Sequence, residues 1–174
     1  MTKTRKLTEC AILIAIAFIL SFIKVYELPN GGSITLCSML PIIIISHRSG
    51  LKWGVLSGFV YSFLQLMQGF YPPPVPTLAF FTLSILLDYV VAFTILGTAV
   101  VFAKPFENNK RLGFLVSIIC VGTIRAISHI VAGTLIWQSL WGASAVYNLS
   151  YMIPETIVTA IVGFLMYKQI QNVK

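Results

Sequence analysis

Residues 112–137 read LGFLVSIICVGTIRAISHIVAGTLIW, and this run gives the clearest indication of the fold class. It is long enough to cross the hydrocarbon core of a bilayer, which takes about 20 mainly apolar residues. Within it only Arg125 carries a formal charge, and His129 adds a titratable ring. A charge in a membrane helix is costly and persists when it faces the interior of a helix bundle. The run therefore predicts a membrane helix with a polar, inward-facing stripe.

Five further apolar runs predict membrane helices on the same grounds. They are Leu7–Ile23, Ile34–Ser46, Leu51–Phe70, Leu78–Ala103 and Val146–Tyr167. The second is short and Pro41 interrupts it, so we expect it to be tilted, kinked or partly extended into the preceding loop. The chain is 57% hydrophobic and 10% charged, whereas soluble domains are roughly 25% charged. The sequence predicts an all-α integral membrane protein, with residues 1–174 forming a single domain of six transmembrane helices.

The basic residues between these runs are distributed unevenly. If the N-terminus is inside, the outer gaps carry only Lys24. The inner gaps then carry Lys3, Arg5, Lys6, Arg48, Lys52, Lys104, Lys110, Arg111, Lys168 and Lys174. The positive-inside rule predicts a multi-pass protein of the cell membrane with both termini cytoplasmic, and its basic face suits anionic lipid. The net charge of +7 does not indicate nucleic acid, because the basic residues do not share one face.

Four ionisable side chains lie well inside the predicted helices: Asp88, Arg125, His129 and Glu155. At about 1.5 Å per residue they lie roughly 12 to 18 Å from the outer helix ends. We therefore expect them to share a cavity in the outer half of the membrane. Two ionised carboxylates against one arginine leave a charge of about −1, which favours a small monocation. Whether Arg125 pairs with Asp88 or with Glu155 stays open, and a purely structural role for Arg125 or His129 is the alternative.

Arg125, His129, Gly133 and Trp137 follow one another at a spacing of four residues. Residues at this spacing share a helix face. Gly133 leaves room for a ligand against the helix, and the Trp137 indole favours a flat or cationic ligand. The stripe therefore predicts a binding face on this helix.

These features resemble the substrate-binding S-components of energy-coupling factor (ECF) vitamin transporters, and most closely the thiamine-specific member. The resemblance covers nearly the whole chain. Asp88 and Tyr89 match a Glu-Tyr pair that in the family faces the cationic thiazolium. Residues 147–155, YNLSYMIPE, resemble the family's YNGSYMLPE pattern. The resemblance adds Tyr89, Tyr147, Asn148 and Glu155 to the substrate contacts, with Asn148 at the aminopyrimidine.

The same resemblance implies partners and a lid. Residues 7–15, LTECAILIA, carry Ala11 and Ala15 in an AxxxA motif that in the family docks on a transmembrane coupling subunit. Residues 28–34, LPNGGSI, resemble the family's lid over the bound vitamin. The implied partners are thiamine or a similar small cationic vitamin, the coupling subunit and two ATPase subunits. The chain has no GxxxxGK[ST] motif, so we expect the energy for transport to come from partners or a gradient.

Three alternatives stay open from the sequence. The substrate is another vitamin or a thiamine precursor, or the chain is a stand-alone secondary transporter, or it is a membrane-embedded enzyme that uses Asp88, His129 and Glu155. The second lacks support because no inverted repeat is visible. The third lacks HExxH and any paired-ligand spacing. We therefore expect no enzymatic activity, no metal site and no cofactor.

Overall fold

A computed structural model describes residues 2–172, and most of them are helical. The helices are α1 (Lys3–Phe22), α2 (Leu40–Ser49), α3 (Leu51–Gln68), α4 (Leu78–Ser84), α5 (Ala92–Thr94), α6 (Ala99–Ala103), α7 (Lys110–Leu135) and α8 (Trp141–Asn172). Two strands, β1 (Lys24–Glu27) and β2 (Ser33–Thr35), pair antiparallel as a hairpin. Lys174, which the orientation prediction uses, lies outside the described residues.

The fourth predicted span is a continuous helical rod from Leu78 to Ala103 that changes its winding along its length. A π-helical turn (Ile85–Val91) separates α4 from α5, and a 3₁₀ turn (Ile95–Thr98) separates α5 from α6. The side chain of Ser128 on α7 donates to the carbonyl of Leu87 in the π turn, at 2.7 Å. Single π turns are frequent at functional sites, and this one carries Asp88 and Tyr89.

The short helix α2 is enclosed by protein, since residues 40–46 are all buried. A helix that is apolar all round belongs in a core. The side chain of Ser46 donates to the carbonyl of Gly97 at 2.6 Å, and Gly54 on α3 lies against the same carbonyl. Small residues at these positions allow the backbones to approach closely, as is typical of helix packing in lipid.

The prediction for the second span is wrong at its start. Ile34 lies in strand β2. The predicted all-α fold class is therefore incomplete, because the structure also contains one two-stranded β-hairpin. Helix α2 begins only at Leu40, with Pro41 in its first turn. Proline is tolerated there because its missing N–H has no partner to lose. Pro41 therefore starts the helix rather than interrupting it.

Other boundaries shift by smaller amounts. Helix α7 ends at Leu135, so Trp137 lies just beyond it and not on its last turn. Helix α8 begins at Trp141, five residues before the predicted start, and it contains Pro154 without a break. Residues 69–77 are not helical, so the third predicted span ends two residues early, and the segment that follows contains Pro72, Pro73, Pro74 and Pro76.

Basic side chains join neighbouring helices at one end of the bundle. Arg48 pairs with Glu9 and also donates to the carbonyl of Ile170 at 3.3 Å. Arg111 donates to the carbonyl of Phe164 at 3.2 Å and lies over its ring. The start of α1, the end of α2, the start of α7 and the end of α8 therefore meet at this end.

Two described stretches are suited by length and composition to cross a membrane, Leu78–Leu135 and Trp141–Ile170. The first contains two of the predicted spans, which meet at the 3₁₀ turn Lys104–Asn109. Helix α2, at 10 residues, is short for a crossing. The structure supports a largely helical protein with long apolar helices, and six crossings stay a prediction.

Candidate functional site

A cavity of about 530 Å³ lies at the end of the bundle that carries the hairpin. This volume falls within the roughly 300 to 1,000 Å³ that is usual for small-molecule sites. All nine residues predicted to contact a substrate line it: Asp88, Tyr89, Arg125, His129, Gly133, Trp137, Tyr147, Asn148 and Glu155. The structure thus brings together residues from three separate spans, and their contact with a substrate stays a prediction.

Asp88 and His129 form a pair between the π turn and α7. Oδ1 of Asp88 lies 2.9 Å from Nδ1 of His129, and the two side chains are 20% and 11% exposed. In a neutral imidazole, a proton on Nδ1 leaves Nε2 as an acceptor. Nε2 of His129 is buried and has no partner within residues 2–172. The pair therefore presents the partly exposed carboxylate of Asp88 to the cavity, whereas the second ring nitrogen of His129 is buried.

Arg125 pairs with neither of the carboxylates considered for it. Its guanidinium lies 4.4 Å from the centre of the Phe93 ring, a cation–π contact. Its Nε is buried without a partner in the described part of the chain. Asp88 is instead paired with His129, and Glu155 is hydrogen-bonded to Thr35 of the hairpin. The terminal guanidinium nitrogens of Arg125 are neither buried nor hydrogen-bonded within the described residues, and Arg125 lines the cavity, so these are the donors it keeps for a ligand.

Glu155 on α8 holds the end of β2. It is only 2% exposed, and its carboxylate accepts from the backbone N–H of Thr35 at 2.5 Å and from the Thr35 hydroxyl at 2.6 Å. Both oxygens are therefore engaged by one residue of the hairpin. Hydrogen bonds to a charged group are stronger than neutral ones, so this contact fixes the hairpin against α8.

Tyr147, one of the predicted contacts, holds the tip of the hairpin. Its hydroxyl donates to the carbonyl of Pro29 at 2.5 Å and accepts from the N–H of Gly32 at 3.0 Å. A Cβ at Gly32 would lie 2.8 Å from the Tyr151 ring. The neighbouring Gly31 has a φ of +92°, in the left-handed region that favours glycine. The two glycines therefore serve the turn and its close contact with α8.

Gly133 and Asn148 join α7 to α8. The position of a Gly133 side chain is already filled by Ser144, whose hydroxyl donates to the carbonyl of Ile130 at 2.9 Å. The prediction that Gly133 leaves room for a ligand there is therefore wrong. Asn148 donates to the carbonyl of Ser144 at 2.9 Å and accepts from the Tyr151 hydroxyl at 2.8 Å. Much of its hydrogen-bonding capacity is thus used within the bundle.

The two remaining aromatics line the cavity from different directions. The Tyr89 hydroxyl donates to the carbonyl of Gly69 at 2.7 Å, which ties the π turn to the end of α3. Trp137 is half-buried beyond the end of α7. The stripe predicted from four-residue spacing is therefore helical from Arg125 to Gly133 only.

Sequence reasoning missed the wall formed by α1 and α3. Ser21, Gln65 and Gln68 line the cavity there and are hydrogen-bonded to one another. The available signal was two glutamines three residues apart in an apolar run, a spacing that places them on one helix face.

A second recess of about 450 Å³ is an apolar groove between α1 and α3. It is lined by Leu7, Cys10, Ala11, Ile14, Ala15, Phe18, Trp53, Leu56, Ser57, Val60 and Leu64. Ala11 and Ala15 are both exposed along it. Docking at this groove stays a prediction.

Comparisons with known proteins agree with one another. The family model described as thiamine transporter protein (Thia_YuaJ) matches residues 7–174. The chain is 32% identical to the thiamine transporter ThiT of Bacillus subtilis (strain 168) over 181 residues, covering 93% of this chain and 90% of that protein. It is 26% identical to the thiamine transporter ThiT of Lacticaseibacillus paracasei over 176 residues, covering 88% and 82%.

Two solved structures share the fold. One is ThiT from Listeria monocytogenes, with a TM-score of 0.74, 23% identity and coverage of 96% of this chain and 95% of that one. The other is the S component of a bacterial ECF transporter, with a TM-score of 0.69, 19% identity and 98% coverage of both chains.

Proposed function

The chain belongs to the thiamine transporter protein family, and from this premise we propose that it captures thiamine in the cavity behind the hairpin, for uptake as the S-component of an ECF transporter. Membership of a transporter family also answers the enzyme hypothesis, because a carrier needs binding groups and no catalytic ones. The alternatives of another vitamin or a thiamine precursor concern the substrate and not the class of protein.

The observation that carries the proposal is the Asp88–His129 pair inside a cavity with aromatic walls. Thiamine has a permanently charged thiazolium ring joined to a neutral aminopyrimidine. A partly buried carboxylate attracts a cation more strongly than it does in water, because the surroundings screen it less. Trp137 and Tyr89 add ring faces that favour a flat cation. The terminal guanidinium nitrogens of Arg125, which lines the cavity, suit the acceptor nitrogens of the aminopyrimidine.

For the orientation, we infer that the cavity faces outward and that both termini lie in the cytoplasm of a six-span protein of the cell membrane. The end of the bundle opposite the cavity carries Arg48 and Arg111, whereas the cavity end carries Lys24. The positive-inside rule assigns the basic end to the cytoplasm. An outward cavity is also the arrangement that uptake requires.

For energy, the chain would depend on one coupling subunit and two ATPase subunits. The exposed Ala11 and Ala15 lie in the apolar groove, and small residues at this spacing let a partner helix approach closely in lipid. The groove and the cavity are separate recesses. Capture and coupling therefore use different faces of the protein.

A thiamine titration of the purified protein tests the function and the site together. The unmodified protein should bind one equivalent of thiamine. Asp88→Asn should bind about thirtyfold or more weakly, because a partly buried ion pair with the ligand is lost. Glu107→Gln is the matched control, since Glu107 is exposed and does not line the cavity. Equal binding by Asp88→Asn and the unmodified protein would show that the cation lies elsewhere. Binding of a different vitamin in place of thiamine would overturn the substrate assignment.

A further inference from the structure

Ser21, Gln65 and Gln68 form a connected amide wall in the cavity. Gln65 Nε2 donates to Ser21 Oγ at 2.9 Å and to Gln68 Oε1 at 3.0 Å. Ser21 Oγ also lies 2.8 Å from Gln68 Oε1. Ser21 is 3% exposed, so this wall is anchored in the contact between α1 and α3. The network fixes both glutamine side chains relative to the cavity.

Each glutamine keeps one unused polar atom. Within residues 2–172, Gln65 Oε1 and Gln68 Nε2 have no hydrogen-bond partner, and neither atom is buried. One is an acceptor and the other a donor. Rotating both amides by 180° exchanges these roles but still leaves one donor and one acceptor. The wall therefore presents a donor–acceptor pair to the cavity.

A neutral hydroxyl group matches such a pair, because it donates one hydrogen bond and accepts others. A second cation or an anion matches it less well, since both glutamines are uncharged. The wall lies on α1 and α3, whereas the Asp88–His129 pair lies on the π turn and α7. The Tyr89 hydroxyl bonded to Gly69 brings the end of α3 beside the π turn. The two sets of groups therefore form neighbouring walls of one cavity.

We propose that Gln65 and Gln68, held in place by Ser21, form a subsite that recognises the hydroxyl group of the substrate's side chain. This inference rests on the proposed function, because thiamine carries a hydroxyethyl group on its thiazolium ring. With the ring cation at Asp88, that short chain extends toward the amide wall. The subsite then distinguishes thiamine from compounds with an apolar tail of the same size.

Calorimetric titration with two ligands tests the subsite. The ligands are thiamine and an analogue with an ethyl group in place of the hydroxyethyl group. The unmodified protein should bind thiamine about tenfold more tightly, the gain expected from hydrogen bonds in a partly dry site. Gln68→Leu and Gln65→Leu should each lose most of this preference by weakening thiamine binding and leaving the analogue's affinity nearly unchanged. Gln169→Leu is the matched control, because Gln169 is exposed and does not line the cavity.

The other outcomes distinguish failure of the subsite from failure of the proposed function. Equal weakening of both ligands in both glutamine variants would overturn the subsite and indicate a structural role in joining α1 to α3. Equal affinity of the unmodified protein for both ligands would also overturn it without any variant, while leaving thiamine binding intact. No binding of thiamine by the unmodified protein would instead remove the proposed function.

Discussion

The cavity and the apolar groove have similar volumes, about 530 and 450 Å³, but very different walls. The cavity is lined by carboxylates, amides, hydroxyls and aromatic rings, whereas Ser57 and Cys10 are the only side chains in the groove other than hydrocarbon and indole groups. A small polar molecule must exchange its water for protein hydrogen bonds, and the cavity supplies them. A partner helix needs close packing and no polar groups. The chemistry of the walls, and not the volume, therefore distinguishes the two recesses.

Both recesses share helix α1. Ser21 belongs to the cavity, whereas Ala11 and Ala15 belong to the groove. Ser21 is six positions after Ala15, which is about 9 Å along the helix. Changes at Ala11 and Ala15 can therefore be made without touching the cavity, and the following predictions use this separation.

The largest effect is expected from filling the groove. Ala11→Trp combined with Ala15→Trp places two indoles where a partner helix would pack. Uptake of labelled thiamine by cells should fall to background, whereas the Kd of the purified protein should stay within about twofold, because distant sites behave independently. The measurements are cellular uptake and titration of the same variant.

A matched control keeps the helix and the spacing. Ile12→Trp with Ile16→Trp changes exposed positions of α1 outside the groove, and it should transport normally. Normal uptake by the alanine variant would remove the docking assignment. Loss of binding in that variant would show instead that the two recesses are coupled.

A smaller effect is expected from crowding the hairpin. In Gly32→Ala, the new methyl group would meet the Tyr151 ring at 2.8 Å and the Tyr147 hydroxyl at 2.9 Å. The hairpin would have to shift, and overpacking of this kind costs about 1 to 3 kcal/mol. Thiamine binding should weaken by about tenfold, mainly through faster dissociation. Stopped-flow measurement of dissociation tests this. Gly142→Ala, where a methyl group meets nothing within 4 Å, should behave as the unmodified protein.

The smallest effect is expected from removing one hydroxyl. Tyr147→Phe loses the hydrogen bonds to Pro29 and Gly32 but keeps the ring. If the hydroxyl mainly holds the hairpin, thiamine should dissociate about threefold to tenfold faster, with little change in association. Tyr26→Phe, on an exposed residue of the same hairpin, is the control. A large loss in association rate with unchanged dissociation would contradict the assignment of Tyr147 to the hairpin.

The family resemblance seen in the sequence is confirmed by the family match. Residues 112–137 and 78–103 are predictable as helices, because a long apolar run indicates a membrane helix without any information about the rest of the chain. The sequence also predicts that four ionisable residues lie near one another, because charged side chains within such runs face the interior of a helix bundle. These are Asp88, Arg125, His129 and Glu155. The partners of these four residues were not predictable, since partner choice depends on distances between helices that are far apart in the chain. The hairpin was also missed, because Ile34 and Thr35 continue an apolar run and only pairing with β1 makes them a strand.

The helical, lipid-suited character of the chain and the set of polar residues that must face inward follow from the amino-acid sequence without knowledge of how the helices pack. Apolar surface exposed to water and charge exposed to lipid are costs that each segment carries whatever its neighbours are. The packing of the helices sets three further features: Asp88 contacts His129, Glu155 and Tyr147 hold the hairpin, and Gly133 accommodates α8. Hydrogen bonds act over about 3 Å. A pairing at that range follows from how the helices pack and turn, which no single segment specifies.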